Sequence, residues 1–141
     1  MILSQNELDS CLSGKIGSPH DFLGLHSLGL EKGLVARALD PEAEAVLIVE
    51  QGTGNTYPLK KIHKDGFFEG QISLKKKHFP YFFISTRSGD DVEWFDPYGF
   101  LPFITNENLS DFNEGIDRRP FEKLGSFPSV HDGVEGVAFV V

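Results

Sequence analysis

Gly33-Leu34-Val35-Ala36-Arg37-Ala38-Leu39-Asp40-Pro41 and, four residues later, Ala45-Val46-Leu47-Ile48-Val49-Glu50 decide the fold of this chain. Both runs are short, aliphatic and closed by turn formers: Asp40-Pro41 after the first, Gly52-Thr53-Gly54-Asn55 after the second. Proline fixes its own φ, has no N–H to give a ladder and pushes the preceding residue toward extended geometry, so a strand ends there. The rhythm then continues. Residues 56–62 and 67–72 flank Asp65-Gly66 and are predicted to pair as a hairpin. Residues 81–86 carry apolar side chains at both parities, and 92–95 complete the set after Ser88-Gly89-Asp90-Asp91. Short strands with turns about every 8–12 residues predict a mainly β fold, an antiparallel immunoglobulin-like β-sandwich. Pro58 interrupts 56–62, which is therefore expected at a sheet edge.

Upstream, Ser4-Gln5-Asn6-Glu7 reads as a capping box, with Leu3 and Leu8 as the hydrophobic staple. Leu8, Cys11 and Leu12 form one apolar stripe, and Gly14 can end the turn in a left-handed conformation. A short N-terminal helix follows, stable only if it docks. Ser18-Pro19-His20-Asp21-Phe22-Leu23-Gly24 compresses the same logic into one turn: Ser as cap, Pro at the first position, Gly as stop.

Downstream, Trp94-Phe95-Asp96-Pro97-Tyr98-Gly99-Phe100-Leu101-Pro102 leads through Asp111-Phe112-Asn113-Glu114-Gly115 to Arg118-Arg119-Pro120-Phe121-Glu122-Lys123-Leu124-Gly125. Aromatics without helical or strand period indicate an ordered connection packed on a domain surface. Asp132-Gly133 makes a turn before Val134-Glu135-Gly136-Val137-Ala138-Phe139-Val140-Val141, an apolar strand with nothing to close it. Such a strand invites pairing, so the chain is expected to be a piece of a longer protein.

The 141 residues can bury a core, with 13 Phe among them, but cannot hold a (β/α)8 barrel of roughly 250 residues. A net charge of -8 argues against nucleic acid or an anionic membrane as partner and leaves neutral ligands open. Cys11 is the only cysteine, which suits a reducing cytoplasm, and no apolar run approaches the roughly 20 residues of a membrane span. Nor does the N-terminus have the order of a signal peptide. Lys75-Lys76-Lys77 reads as a solvated turn.

The wording of two segments is similar to that of the bacterial 1,4-α-glucan (glycogen) branching enzymes. Pro19-His20-Asp21-Phe22-Leu23-Gly24-Leu25-His26 resembles the Pro-His-Asp-x-Leu-Gly-x-His that opens their N-terminal sandwich, with Leu25 where the family commonly has Pro. Asp96-Pro97-Tyr98, the Glu114-Gly115 link and Leu124-Gly125 resemble their inter-domain connection, with Ser126-Phe127 in place of the usual Ala-His. The resemblance spans about Pro19 to Val141. With the capping box and the strand rhythm, the expected organisation is an N-terminal helix and link over 1–17, a sandwich over 18–104, a connection over 105–133, and the first strand of a following sandwich over 134–141. The resemblance implies a parent that makes α-1,6 branches by retaining double displacement on a barrel beyond this stretch, without an organic cofactor. The module itself would be non-catalytic, positioning glucan or bracing its neighbours; the alternative is a stand-alone carbohydrate-binding sandwich.

Retaining chemistry needs two carboxyl groups roughly 5 Å apart. Asp90, Asp91, Glu93 and Asp96 are the local acids, yet each has a turn or strand-end reason to be there. No catalytic residue is assigned. His20 and His26 are expected to cap or pack, since no third ligand stands at zinc-like spacing, and no metal site is assigned. The candidates for weak α-glucan contact are Phe67, Trp94 and Tyr98. Phe67 shares its parity with Glu69 and Gln71 and is expected exposed; Trp94 shares its parity with Val92 and is expected buried.

Overall fold

The computed structural model describes residues 3–29, 31–100, 103–104, 107, 109–131 and 133–140. Two compact units result, Met1–Gly99 and Phe100–Val141.

The first unit holds a helix, α1 (Gln5–Leu12), and seven strands: β1 (Gly24–Ser27), β2 (Leu34–Leu39), β3 (Ala45–Glu50), β4 (Thr56–His63), β5 (Phe67–Ile72), β6 (Tyr81–Arg87) and β7 (Asp90–Trp94). They join in the order β1-β2-β5-β4-β3-β6-β7, with every pairing antiparallel. β4 makes the sheet curl. Its first half pairs with β3, Leu59 opposite Val46, and its second half with β5, Lys60 opposite Glu69, with an irregularity between Lys61 and His63. One strand thus serves two layers, and the apolar inner faces close on each other as a β-sandwich.

The core between the layers comprises alternate residues of each strand: Leu34, Ala36 and Ala38 from β2, Val46 and Ile48 from β3, Leu59, Phe68, Ile72 and Phe83. Gly70 fits where a Cβ would lie 2.6 Å from Leu59 Cδ2, so the strand crossing needs a residue without a side chain.

Two sequence expectations change here. The strand containing Pro58 lies between β3 and β5, not at an edge. It tolerates proline because Pro58 pairs only with Leu47 of β3, before β4 takes up β5 as its second partner. β1 was not anticipated from the sequence at all; four residues after a tight turn carry too little period to read.

The capping box of α1 forms as read. The Glu7 N–H donates to Ser4 Oγ at 3.4 Å and the Ser4 N–H donates to Glu7 Oε2 at 2.9 Å. Leu3 and Leu8 then bury against Leu23 and Phe67, with Cys11 and Leu12 packed alongside. The helix therefore covers the outer face of β2 and β5, which explains why β2 is buried at both parities from Leu34 to Ala38.

The second unit has a short helix, α2 (Ser110–Asn113), and a hairpin of β8 (Gly125–His131) with β9 (Val134–Val140) in full antiparallel register. β8 was not anticipated. The expected turn residue Asp132, together with Leu101, Pro102 and Val141, lies outside the described residues. β8 opens as β1 does: a 3-10 turn with proline first (Pro120–Glu122 and Pro19–Asp21) leads to a Leu-Gly step, with φ of 114° at Gly125 and 94° at Gly24. In both turns the Leu N–H donates to the proline carbonyl, at 2.8 Å from Leu124 and 2.9 Å from Leu23.

Candidate functional site

Within the first unit, the segment 19–26 meets the Asp96-Pro97-Tyr98 step. Gly24 lies against Tyr98, where a Cβ would sit 3.1 Å from the Tyr98 carbonyl, and Gly99 lies against Tyr81, where a Cβ would sit 2.9 Å from the phenol oxygen. Asp96 ties the junction. Its carboxylate accepts the Tyr81 hydroxyl at 2.6 Å and the Tyr98 N–H at 3.0 Å. It is 3% exposed, and burial raises its pKa against the lowering effect of the Tyr81 and Tyr98 hydrogen bonds. His20 packs edge-on against Tyr98 at 5.0 Å, and His26 Nε2 lies 2.7 Å from the Leu23 carbonyl, so both histidines have the packing roles expected.

Asp96 is thereby removed from the other acids. Asp90, Asp91 and Glu93 stay on the exposed β7 strand, where Asp91 accepts the Thr86 hydroxyl at 2.8 Å. These four do not converge on one pocket. Among the described residues no group of three or more His, Cys, Asp or Glu could hold a metal ion, and no helix is long and apolar enough to cross a membrane.

The three nominated rings fare differently. Phe67 is 0% exposed, contrary to expectation. Its parity was read correctly, but Glu69 and Arg37 on that face are not solvent-facing: they pair at 3.1 Å beneath α1, and Glu69 also accepts the Leu3 N–H at 3.2 Å. Tyr98 is half-buried at the junction. Trp94 is half-buried rather than buried, and Val92, whose parity it shares, is exposed; the Trp94 ring packs on Phe83 at 4.8 Å and its indole N–H donates to the buried Ser85 hydroxyl at 2.8 Å.

A groove of about 710 Å³ opens on the outer face of β3, β6 and β7, beside the turn after β3. Val49, Gln51, Thr53, Phe82, Glu93 and Phe95 line it. Phe82 and Phe95 meet edge to face at 6.5 Å, and Phe95 is 49% exposed. The turn forming one wall is fixed by Glu50, whose carboxylate takes the Thr53 hydroxyl at 2.8 Å, the Asn55 amide at 3.0 Å and Lys75 Nζ at 2.7 Å. Lys75 first, then Asn55 and Thr53, hold the Glu50 pKa down to about 2. Phe82 and Phe95 were not nominated from sequence; the apolar parity on both faces of 81–86 was the available signal.

A curled antiparallel sandwich with a docked N-terminal helix, followed by a second β unit, defines a small β module. The chain belongs to the family of alpha-1,4-glucan branching enzyme GlgB N-terminal domains, whose pattern its residues 4–98 match. It is 37% identical over 137 residues to the 1,4-alpha-glucan branching enzyme GlgB of Rhodopseudomonas palustris (strain BisB5), covering 96% of this chain and 18% of that protein. The GlgB enzymes of Nitrobacter hamburgensis and Rhizobium meliloti are 36% and 34% identical, covering 100% and 99% of this chain. The chain thus spans 18–19% of the length of these relatives.

Proposed function

We propose that this chain is the non-catalytic N-terminal module of a 1,4-α-glucan branching enzyme, acting in glycogen biosynthesis in the cytoplasm. The match of residues 4–98 to the family's N-terminal domain carries the reading. Its partners are the remaining domains of such an enzyme and, weakly, α-glucan. No organic cofactor enters. The Asp96 junction supports a bracing role, because it locks the start of the sandwich to the segment that leaves it.

The domain organisation proposed with it is a helix and link over 1–17, a sandwich over 18–104, a connection over 105–133, and 134–141 as a strand opening a further sandwich. The repeated proline turn before β8 supports a second β module beginning in this region. The stand-alone alternative lacks support from relatives that are all named as branching enzymes. Iodine staining of amylose incubated with the purified chain tests the non-catalytic claim. No loss of staining is expected; branching at rates comparable to an intact enzyme overturns it.

A further inference from the structure

We propose that the groove between Phe82, Phe95 and the turn after β3 is a subsite for a linear α-glucan segment. The inference rests on the branching-enzyme reading and adds a place to it. Three observations converge on a neutral sugar chain.

The rings come first. Phe95 is half exposed and braced edge-on by Phe82, so it offers an apolar face that is already held in position. Pyranose rings stack their C–H faces on such surfaces, and a preset ring loses little entropy on binding.

Charge is the second observation. Glu93 stands on the exposed β7 strand in the groove wall, directly opposite Ile84 in register, and no lysine or arginine is among the described lining residues. The Lys75 ammonium beside the turn is held by Glu50 at 2.7 Å. A phosphate-bearing ligand would meet carboxylates with no compensating cation. An apolar protein surface covering the face would bury Glu93 unpaired, at a desolvation cost. Sugar hydroxyls, by contrast, donate to a carboxylate.

The third observation is the wall itself. The Glu50 carboxylate fixes Thr53 and Asn55, and the Gly54 N–H donates to the Glu50 carbonyl at 3.0 Å, so the turn is set before any ligand arrives. Trp94 also lines the groove and is held there by its indole N–H to Ser85 and its ring contact with Phe83.

The test is a maltoheptaose titration of the 15N-labelled chain followed by amide chemical shifts, with cellohexaose as the β-linked comparison. Shifts confined to Gln51, Thr53, Phe82, Glu93 and Phe95, with maltoheptaose favoured, are expected. Phe95→Ala weakens binding about threefold to tenfold, and Glu93→Gln weakens it about threefold. Both residues are exposed, and should Phe95→Ala disturb the fold, Glu93→Gln carries the test alone. Silent groove amides, unchanged affinity in the variants, or equal response to cellohexaose overturns the subsite. If the chain supports branching when exchanged into a relative yet these amides stay silent, the subsite fails and the module reading stands.

Discussion

At the scale of the residue, polarity misled where parity did not. Alternation along 67–72 correctly sent Phe68 inward with Ile72 and Phe67 to the opposite face. It could not reveal that Glu69 on that face was buried, because a cross-strand Arg37 and a covering helix satisfy it. Phe67→Ala is therefore expected to cost about 3–5 kcal/mol of stability, read from urea unfolding; a neutral substitution would restore the exposed-ring reading. Trp94→Ala should cost about 3 kcal/mol, since it also deprives the fully buried Ser85 hydroxyl of its donor. Retention on an amylose gel should fall far less than for Phe95→Ala. The Glu50 cluster makes a pH prediction of definite sign. A folded-state pKa depressed to about 2 contributes stability that is present above the ordinary glutamate range and lost as pH falls through about 2. Glu50→Gln should flatten that acid limb of the urea midpoint against pH; an unchanged limb would show that the Lys75 pairing has no energetic weight.

At the scale of the element, local signals succeeded where a cap or a turn dictates geometry. Ser4 and Glu7 announced α1, and both halves of the box are present. Because the helix docks through Leu3 and Leu8, Ser4→Ala should lower stability by about 1 kcal/mol in thermal or urea unfolding. No change would mean that α1 frays without consequence for the sandwich. Asp65-Gly66 announced the β4–β5 hairpin, where Gly66 has a φ of 83° and lies so close to the Asp40 carbonyl that a side chain would collide. Pro58 was placed wrongly because edge and interior are properties of pairing partners, and a strand that changes partners midway is both. β1 and β8 escaped notice because each starts within a residue of a Leu-Gly step, where turn chemistry masks the short run that follows.

At the scale of the whole molecule, the fold class was legible; the order β1-β2-β5-β4-β3-β6-β7 was not, since pairing partners far apart in sequence leave no local trace. The groove was illegible for the same reason: Val49, Phe82 and Phe95 come from three strands that only the sheet brings together. The first unit has its own core and should fold alone. Residues 1–99 are expected to unfold cooperatively by circular dichroism, and a molten baseline would tie that core to the second unit. The second unit presents Val130, Val137 and Phe139 on one side of its hairpin, Phe139 at 77% exposure, a surface that a neighbouring domain would cover. As a module of a branching enzyme, this chain should replace its counterpart in a relative. The most direct test is to exchange it for the matching N-terminal segment of the Rhodopseudomonas palustris enzyme and measure α-1,6 branch formation on amylose. A folded chimera that branches at a rate comparable to the parent is expected. A chimera that folds yet falls to the rate of the parent lacking the segment would contradict it.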